Sequence, residues 1–171
     1  MKALNLTELR SLLSLQPQRE FLPLSFFQEA GIPKGAITEI TGVGKTDFVA
    51  QILAENSDVR VAWIEKNMSI FPFAFWQRNL GLQRVLFVES GAQTEWTILQ
   101  ILKAQIFKLV VFYVDDFEIT SLRRIQLASE KANVICLWLT DKPHSLWPVS
   151  LQLQIIKSKL GNKPIILKQK L

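Results

Sequence analysis

The sequence predicts an α/β domain of three layers, in which a mainly parallel central sheet is followed by a C-terminal antiparallel hairpin. Short apolar segments typical of strands alternate with segments of helical periodicity, which is the pattern of repeated strand-helix units. Two strand segments, 109–114 and 134–139, are almost wholly apolar, as expected for strands buried on both faces of a parallel sheet. After residue 149 the pattern changes to apolar-polar alternation around a turn, which indicates a hairpin.

The elements of this domain can be placed in order along the chain. A turn signal at 31–35 leads into a strand at 36–40, and the glycine-containing segment 42–46 connects that strand to a helix at 47–56. The periodicity predicts the remaining core elements as strand 59–64, helix 71–80, strand 85–89, helix 94–107, strand 109–114, helix 119–132 and strand 134–139. The hairpin strands are predicted at 149–155 and 164–167, with a turn at 160–162.

The N-terminal residues are predicted to lie outside the core domain. Apolar residues recur at helical spacing over 4–15, and Pro17 and Pro23 bracket a non-helical connection. We therefore divide the chain into an N-terminal helix with its connecting segment, 1–23, and a core domain, 24–171. The narrow apolar stripe of the helix leaves open packing on a second copy of the chain, on another protein or on its own core, so self-association through this helix is one expectation.

The positive charge of the chain is concentrated at its C-terminal end. The sequence has 20 basic and 15 acidic side chains, a net charge of +5. Residues 150–171 contain no acid and five lysines, which account for the whole excess: Lys157, Lys159, Lys163, Lys168 and Lys170. Lysines that protect an edge strand against pairing are the ordinary explanation, and a nucleic-acid surface is the alternative.

Composition and residue counts exclude several classes of protein. With 49% hydrophobic and 20% charged residues the chain is globular. A single cysteine, Cys136, excludes a disulfide framework and a cysteine zinc site, and a single histidine, His144, is interpreted as a surface-loop residue. Asp115 and Asp116 are interpreted as a helix cap and a solvated pair rather than a metal site. No apolar run could span a bilayer and no signal pattern is recognised, so we expect a soluble cytoplasmic protein.

A possible phosphate loop lies between the first strand and helix of the core. Its residues Gly42, Gly44, Lys45 and Thr46 are the candidate cofactor-binding set, because a Gly-Lys-Thr ending supplies backbone N–H groups, an ammonium for phosphates and a hydroxyl for Mg²⁺. The full pattern places a glycine where this sequence has Glu39. Counted from Gly42, the loop lacks three residues, roughly 10 Å of extended chain. We favour a tight turn with remnant residues and no cofactor; a working ATP and Mg²⁺ site is the alternative.

Several of these segments resemble the ATPase core of RecA recombinases. The resemblance is carried by Gly31 through Gly42, by Gly44-Lys45-Thr46 and by the segment Val-Ala-Trp-Ile-Glu at 61–65. The segment Leu-Arg-Arg-Ile-Gln-Leu-Ala at 122–128 is similar to a helix of the short RecA-like accessory proteins of SOS mutagenesis, the ImuA or SulA-like group. The resemblance covers about residues 24–168 and implies a RecA-like core with a degenerate phosphate loop.

The resemblance also implies that the catalytic machinery is missing, so we expect no catalytic residue. Asn67 matches the glutamate that activates water in RecA, and an amide cannot act as a general base. Tyr113 matches the metal-supporting aspartate in the simplest alignment, and Asp115 is the alternative if the register of the strand is shifted. The glutamine that couples nucleotide to DNA falls near Thr140 or Asp141. The two DNA-binding loops are reduced to 115–118 and 141–148; the first is acidic, which implies weak or no DNA binding.

Three functions remain open from the sequence. The leading hypothesis is a catalytically inactive RecA-like accessory protein of the DNA damage response, which contacts a translesion polymerase assembly or a RecA-like protein. The alternatives are an active ATPase with an atypical short loop and a DNA-binding module that uses the C-terminal lysines. The aromatic segment Phe71, Phe73, Phe75 and Trp76 is a candidate partner surface if part of it is exposed. Trp63 and Trp138 are expected in the core.

Overall fold

The computed structural model describes residues 20–25, 31–78, 80–158 and 161–170. The strands in this part of the chain are β1 (Phe21–Leu22), β2 (Ile32–Pro33), β3 (Ala36–Gly42), β4 (Val61–Glu65), β5 (Val85–Glu89), β6 (Leu109–Tyr113), β7 (Ile135–Leu139), β8 (Val149–Ser158) and β9 (Gly161–Gln169). The α-helices are α1 (Lys45–Glu55), α2 (Pro72–Trp76), α3 (Thr94–Ala104) and α4 (Ile119–Ala132). Short 3₁₀ turns precede β5 and α3.

A seven-stranded sheet forms the central layer, in the order β5-β4-β6-β7-β3-β8-β9. The first six strands in this order are parallel to one another, and only β9 runs antiparallel, as the second strand of the β8-β9 hairpin. Strand β3 lies between β7 and β8, so the segment that follows it, 43–46, lies at the edge of the sheet formed by the carboxyl ends of the parallel strands. The predicted α/β class, the mainly parallel sheet and the C-terminal hairpin are confirmed.

Alternating residues of the central strands pack into two separate hydrophobic cores, one on each face of the sheet. Val61 and Trp63 of β4 point to the face covered by α1 and α2, whereas Ala62 and Ile64 point to the face covered by α3 and α4. All four side chains are at most 1% exposed. Burial on both faces explains why these strands read as continuous apolar runs, and it produces the three layers that the sequence predicts.

Several element bounds differ from the predicted ones. The helix predicted at 71–80 is the five-residue α2, which Pro72 begins and which ends in a turn where the Leu80 N–H donates to the carbonyl of Phe75. Helix α3 ends at Ala104 because Gln105 takes a left-handed conformation, φ 55°. Strand β9 begins at Gly161 rather than at residue 164, so the predicted turn at 160–162 is wrong at its C-terminal end. The helix predicted at 4–15 lies outside the described residues.

Candidate phosphate-binding site

The loop between β3 and α1 is held in place by the C-terminal hairpin. Gly42 and Gly44 have φ values of 94° and 91°, which glycine tolerates far better than other residues. A Cβ atom on Gly42 would lie 2.2 Å from the carbonyl oxygen of Ile155 in β8, and one on Gly44 would lie 2.6 Å from Oδ1 of Asn162 in β9. The hairpin thus packs directly against the loop. At Gly42 a side chain would clash with backbone, whereas at Gly44 the positive φ is the main requirement for glycine, because the Asn162 side chain can move aside.

The structure brings the four predicted site residues together. A cleft of about 560 Å³ is lined by Gly42, Gly44, Lys45 and Thr46, and by three further residues, Val43, Asp47 and Asp141. Val43 is 73% exposed at the tip of the loop. Helix α1 begins at Lys45, so its N-terminal N–H groups lie beside the cleft. The loop joins a strand to a helix. Whether the cleft can hold a phosphate depends on which groups already contact Lys45.

The ammonium of Lys45 is already engaged by two side chains of neighbouring strands. Its Nζ donates to Oδ1 of Asp141, which follows β7, and lies 4.7 Å from the centroid of the Tyr113 ring at the end of β6. The hydroxyl of Tyr113 donates to the same Oδ1 over 2.9 Å. The Lys45 side chain is only 15% exposed. The carboxylate of Asp141 therefore meets the ammonium in the way a phosphate oxygen would.

This arrangement shifts the titration of both partners of Lys45. The hydrogen bonds from Lys45 and Tyr113 lower the pKa of Asp141. Burial, followed by the hydrogen bond to Asp141, raises the pKa of Tyr113 to about 12. At neutral pH Asp141 is therefore charged and Tyr113 is protonated, which are the forms that the contact with Lys45 requires.

The acidic residue at the end of β4 is Glu65, and its carboxylate accepts hydrogen bonds from neighbouring side-chain and backbone donors. Glu65 is 2% exposed; its Oε1 accepts from Nε1 of Trp63 over 2.8 Å, and its Oε2 accepts from the hydroxyl of Ser69 over 2.7 Å and from the backbone N–H of Ser69. It also lines a second cavity, of about 240 Å³, together with Thr46 and Tyr113. Glu65 lies two positions before Asn67, the residue that matches the RecA glutamate, and Asn67 is exposed.

The two consecutive aspartates lie outside the cleft. Glu118, not either aspartate, precedes α4, and its position shows no side-chain cap hydrogen bond within the described residues. The capping role predicted for Asp115 and Asp116 is therefore wrong, whereas both are exposed to solvent as predicted. Across the part of the chain that the structure describes, no three His, Cys, Asp or Glu side chains are grouped to hold a metal ion.

His144 is not the exposed loop residue that the sequence predicts. Its ring stacks on Trp138 at a centroid distance of 4.8 Å, and its side chain is 20% exposed. Its Nδ1 lies 2.7 Å from Oε1 of Glu39, and its backbone N–H donates to the same oxygen over 3.0 Å. Glu39 is fully buried, and Gln152 donates to its other oxygen. The position where a phosphate loop would have glycine is thus the centre of a buried polar network.

The aromatic residues divide as predicted between core and surface. Trp63 and Trp138 are at most 1% exposed. In α2, Phe75 is buried between Trp63 and Phe87, with ring centroids 5.5 and 6.0 Å away. The other aromatic residues of this segment are exposed: Phe71 at 68%, Phe73 at 46% and Trp76 at 58%.

The fold of this chain is similar to that of known structures. The structure is similar to the crystal structure of the RadB recombinase, with a TM-score of 0.64 and 15% sequence identity, over 82% of this chain and 84% of that one. No family model and no curated protein sequence matches the chain. No helix of the described segments has the length and apolar character needed to cross a membrane. The chain has the RecA-like fold.

Proposed function

We propose that this chain is a RecA-like accessory protein of the DNA damage response that does not hydrolyse ATP and works through contacts with other proteins. The observation that carries the proposal is the engagement of Lys45 by Asp141 and Tyr113 at a shortened phosphate loop. The lysine that would bind phosphate is neutralised from within the chain. Nucleotide binding would have to break this ion pair in a loop that offers fewer N–H donors than the full motif.

The exposed aromatic residues support the protein-contact part of the proposal. Phe73 lies between Phe71 and Trp76, with ring centroids 6.0 and 4.9 Å away, so the three side chains form a contiguous patch. Phe75 anchors the short helix that displays them. Large aromatic side chains are enriched in protein interfaces and are costly to leave in water. We call Phe71, Phe73 and Trp76 the aromatic patch and propose that it contacts the partner.

The DNA damage response is proposed from two likenesses. The segments 31–46 and 122–128 resemble the accessory proteins of SOS mutagenesis, and the structural neighbour RadB is a recombinase. We propose a translesion polymerase assembly or a RecA-like protein as the partner.

A second candidate function is an active ATPase with an atypical loop. The observation that favours it is the cavity of about 240 Å³ that both Glu65 and Thr46 line, because a carboxylate in the same cavity as the Gly-Lys-Thr hydroxyl could position water near a phosphate. However, Oε2 of Glu65 already accepts two hydrogen bonds from Ser69, and these bonds compete with the positioning of water. This candidate requires phosphate release that depends on Lys45.

Affinity purification of the tagged full-length chain from DNA-damaged cells tests the proposed partner. We expect a translesion polymerase or a RecA-like protein to co-purify, and to be lost in a Phe71→Ser/Trp76→Ser variant. Trp96→Ser is the matched control, because Trp96 is 59% exposed on α3, on the opposite face of the sheet. Equal recovery with the patch variant, or recovery of neither partner with the wild type, would refute the proposal.

A further inference from the structure

The last strand of the sheet, β9, has a free edge. In the part of the chain that the structure describes, β9 pairs with β8 alone. The N–H and C=O groups along the other edge of such a strand have no partner in the sheet. Pro164 contributes no N–H group, so the longest stretch of β9 with a complete set of backbone donors is 165–169.

Three consecutive apolar side chains are exposed in this stretch. Ile165 is 41% exposed, and Ile166 and Leu167 are each 46% exposed. Branched apolar side chains pack well against the neighbouring strand of a sheet. An edge strand that exposes such side chains together with its backbone is a template for pairing with a further strand. The middle of β9 is therefore suited to accept one.

The lysines of the hairpin lie at the two ends of this stretch and leave its middle uncovered. Lys168 and Lys170 donate to two backbone carbonyls of the loop before β8, so their ammonium groups turn back toward the sheet. Lys157 and Lys163 are exposed at the other end, beside the turn of the hairpin. Lysines protect an edge strand only where they block its approach, and residues 165–167 include none.

The charge of the hairpin selects the kind of strand that fits this edge. Within the described residues none of these four lysines forms an ion pair, and residues 150–171 contain no acid. Pairing β9 with β9 of a second copy would bring two sets of lysines together, and like charges on paired strands are destabilising. A nucleic acid would supply negative charge, but it has no peptide groups or apolar side chains to match 165–167.

We infer that the free edge of β9 binds an extended acidic segment of a partner protein, which adds one strand to the sheet. Its backbone bonds to residues 165–169, its apolar side chains pack on Ile165, Ile166 and Leu167, and its carboxylates lie near the flanking lysines. This contact is independent of the aromatic patch. The helix that carries the patch is anchored by Phe75 on β4 and β5, at the other end of the sheet.

Fluorescence anisotropy with the full-length chain tests the inference, and the probe is a labelled synthetic peptide in which glutamate and valine alternate. We expect saturable binding at low salt that weakens as salt rises, because the attraction to exposed lysines is screened. The same peptide with two adjacent central prolines keeps its charge but loses N–H donors on both edges, so it should not bind. A peptide in which lysine and valine alternate should not bind either.

Hydrogen exchange of the complex locates the bound peptide. We expect slower exchange of backbone amides in 165–169 when the glutamate-valine peptide is present. Strand β5 is the internal control, because it forms the opposite edge of the same sheet and also pairs on one side only. Its exchange should not change. Protection at β5 instead of β9, or at neither strand, would overturn the inference.

Two pairs of substitutions separate the position of the charge from its amount. Lys157→Gln/Lys163→Gln should weaken binding of the peptide about 2- to 30-fold, the range for two exposed ion pairs. Lys66→Gln/Lys103→Gln removes the same charge at exposed positions outside the hairpin and should leave the affinity unchanged. Thermal unfolding of each variant checks that it is folded.

Four results would contradict a strand-binding edge at β9. They are no binding of the glutamate-valine peptide at low salt, equal binding of its proline-containing form, equal losses in the two lysine pairs, and a self-associated chain in which the amides of 165–169 are already protected without peptide.

Discussion

Asp141 and Lys45 are 96 positions apart in the sequence, and their side chains form an ion pair at the mouth of the phosphate loop. The pair exists because β7 lies beside β3 in the sheet, so that the segments after both strands meet at the same edge. Tyr113, at the end of β6, adds its ring to the lysine and its hydroxyl to the carboxylate. An internal carboxylate thus takes the place of an anionic ligand.

The titration of Tyr113 reports on this arrangement directly, because it is the single tyrosine of the chain. We expect tyrosinate absorbance of the folded protein to appear with a pKa of about 12. Since an unfolded tyrosine has a pKa of about 10, the stabilisation from protonated Tyr113 is complete below that pH and is lost as the pH rises through the folded pKa. Asp141→Asn should lower the pKa, but not fully to 10, because burial remains.

The control for the titration is circular dichroism at each pH, which shows that the chain is still folded where the tyrosine ionises. A pKa near 10 in the folded wild type, or an unchanged pKa in Asp141→Asn, would contradict the contact between Tyr113 and Asp141.

The packing of the hairpin on the loop predicts a large cost for a methyl group at Gly42. Gly42→Ala should lower the free energy of unfolding by about 3 kcal/mol, because the new Cβ would meet the carbonyl of Ile155 and the backbone is strained. Gly91→Ala is the matched control: its φ is also positive, at 55°, but no atom lies within 4 Å of the added Cβ. It should cost about 1 kcal/mol. Urea denaturation measures both, and equal losses would mean that the loop can move away from β8.

The helix that follows the loop is stabilised at its far end by Arg84. The guanidinium donates to the carbonyls of Leu53, Asn56 and Val59, while the last turn of α1 contains no basic residue of its own. Arg84→Met should therefore cost about 2 kcal/mol, because charged donors to orphan carbonyls are lost. Arg60→Met, at an exposed position, should change stability by less than about 0.5 kcal/mol. Thermal and chemical unfolding of the two variants test this, and comparable effects would argue against the cap.

Local pattern was sufficient for most of the fold. Strand 85–89 and helix 119–132 have the predicted bounds. Both their apolar spacing and their ends are determined by residues close together in the sequence. The bounds that differ depend on contacts distant in sequence. Strand β3 continues to Gly42 because Gly42 pairs with Ile155 of β8. Strand β9 begins early, at Gly161, because its first residues pair with the end of β8.

The candidate site was predictable only in its loop. The motif at 42–46 located the cleft, whereas the partners of Lys45 come from the ends of two other strands. The network of Glu39, His144 and Gln152 was missed because the loop after β7 folds back over β3, a path that periodicity does not reveal. The available signal was a glutamate in the middle of a predicted strand of a parallel sheet, since a charge buried there needs donors nearby.

We expect the loop at 42–46 not to function as an ATP site, and calorimetric titration of the chain with Mg-ATP tests this expectation. Lys45→Ala is the paired variant, because it removes the ammonium held by Asp141. We expect no binding in the micromolar range for either protein. Micromolar binding by the wild type that is lost in Lys45→Ala would contradict it.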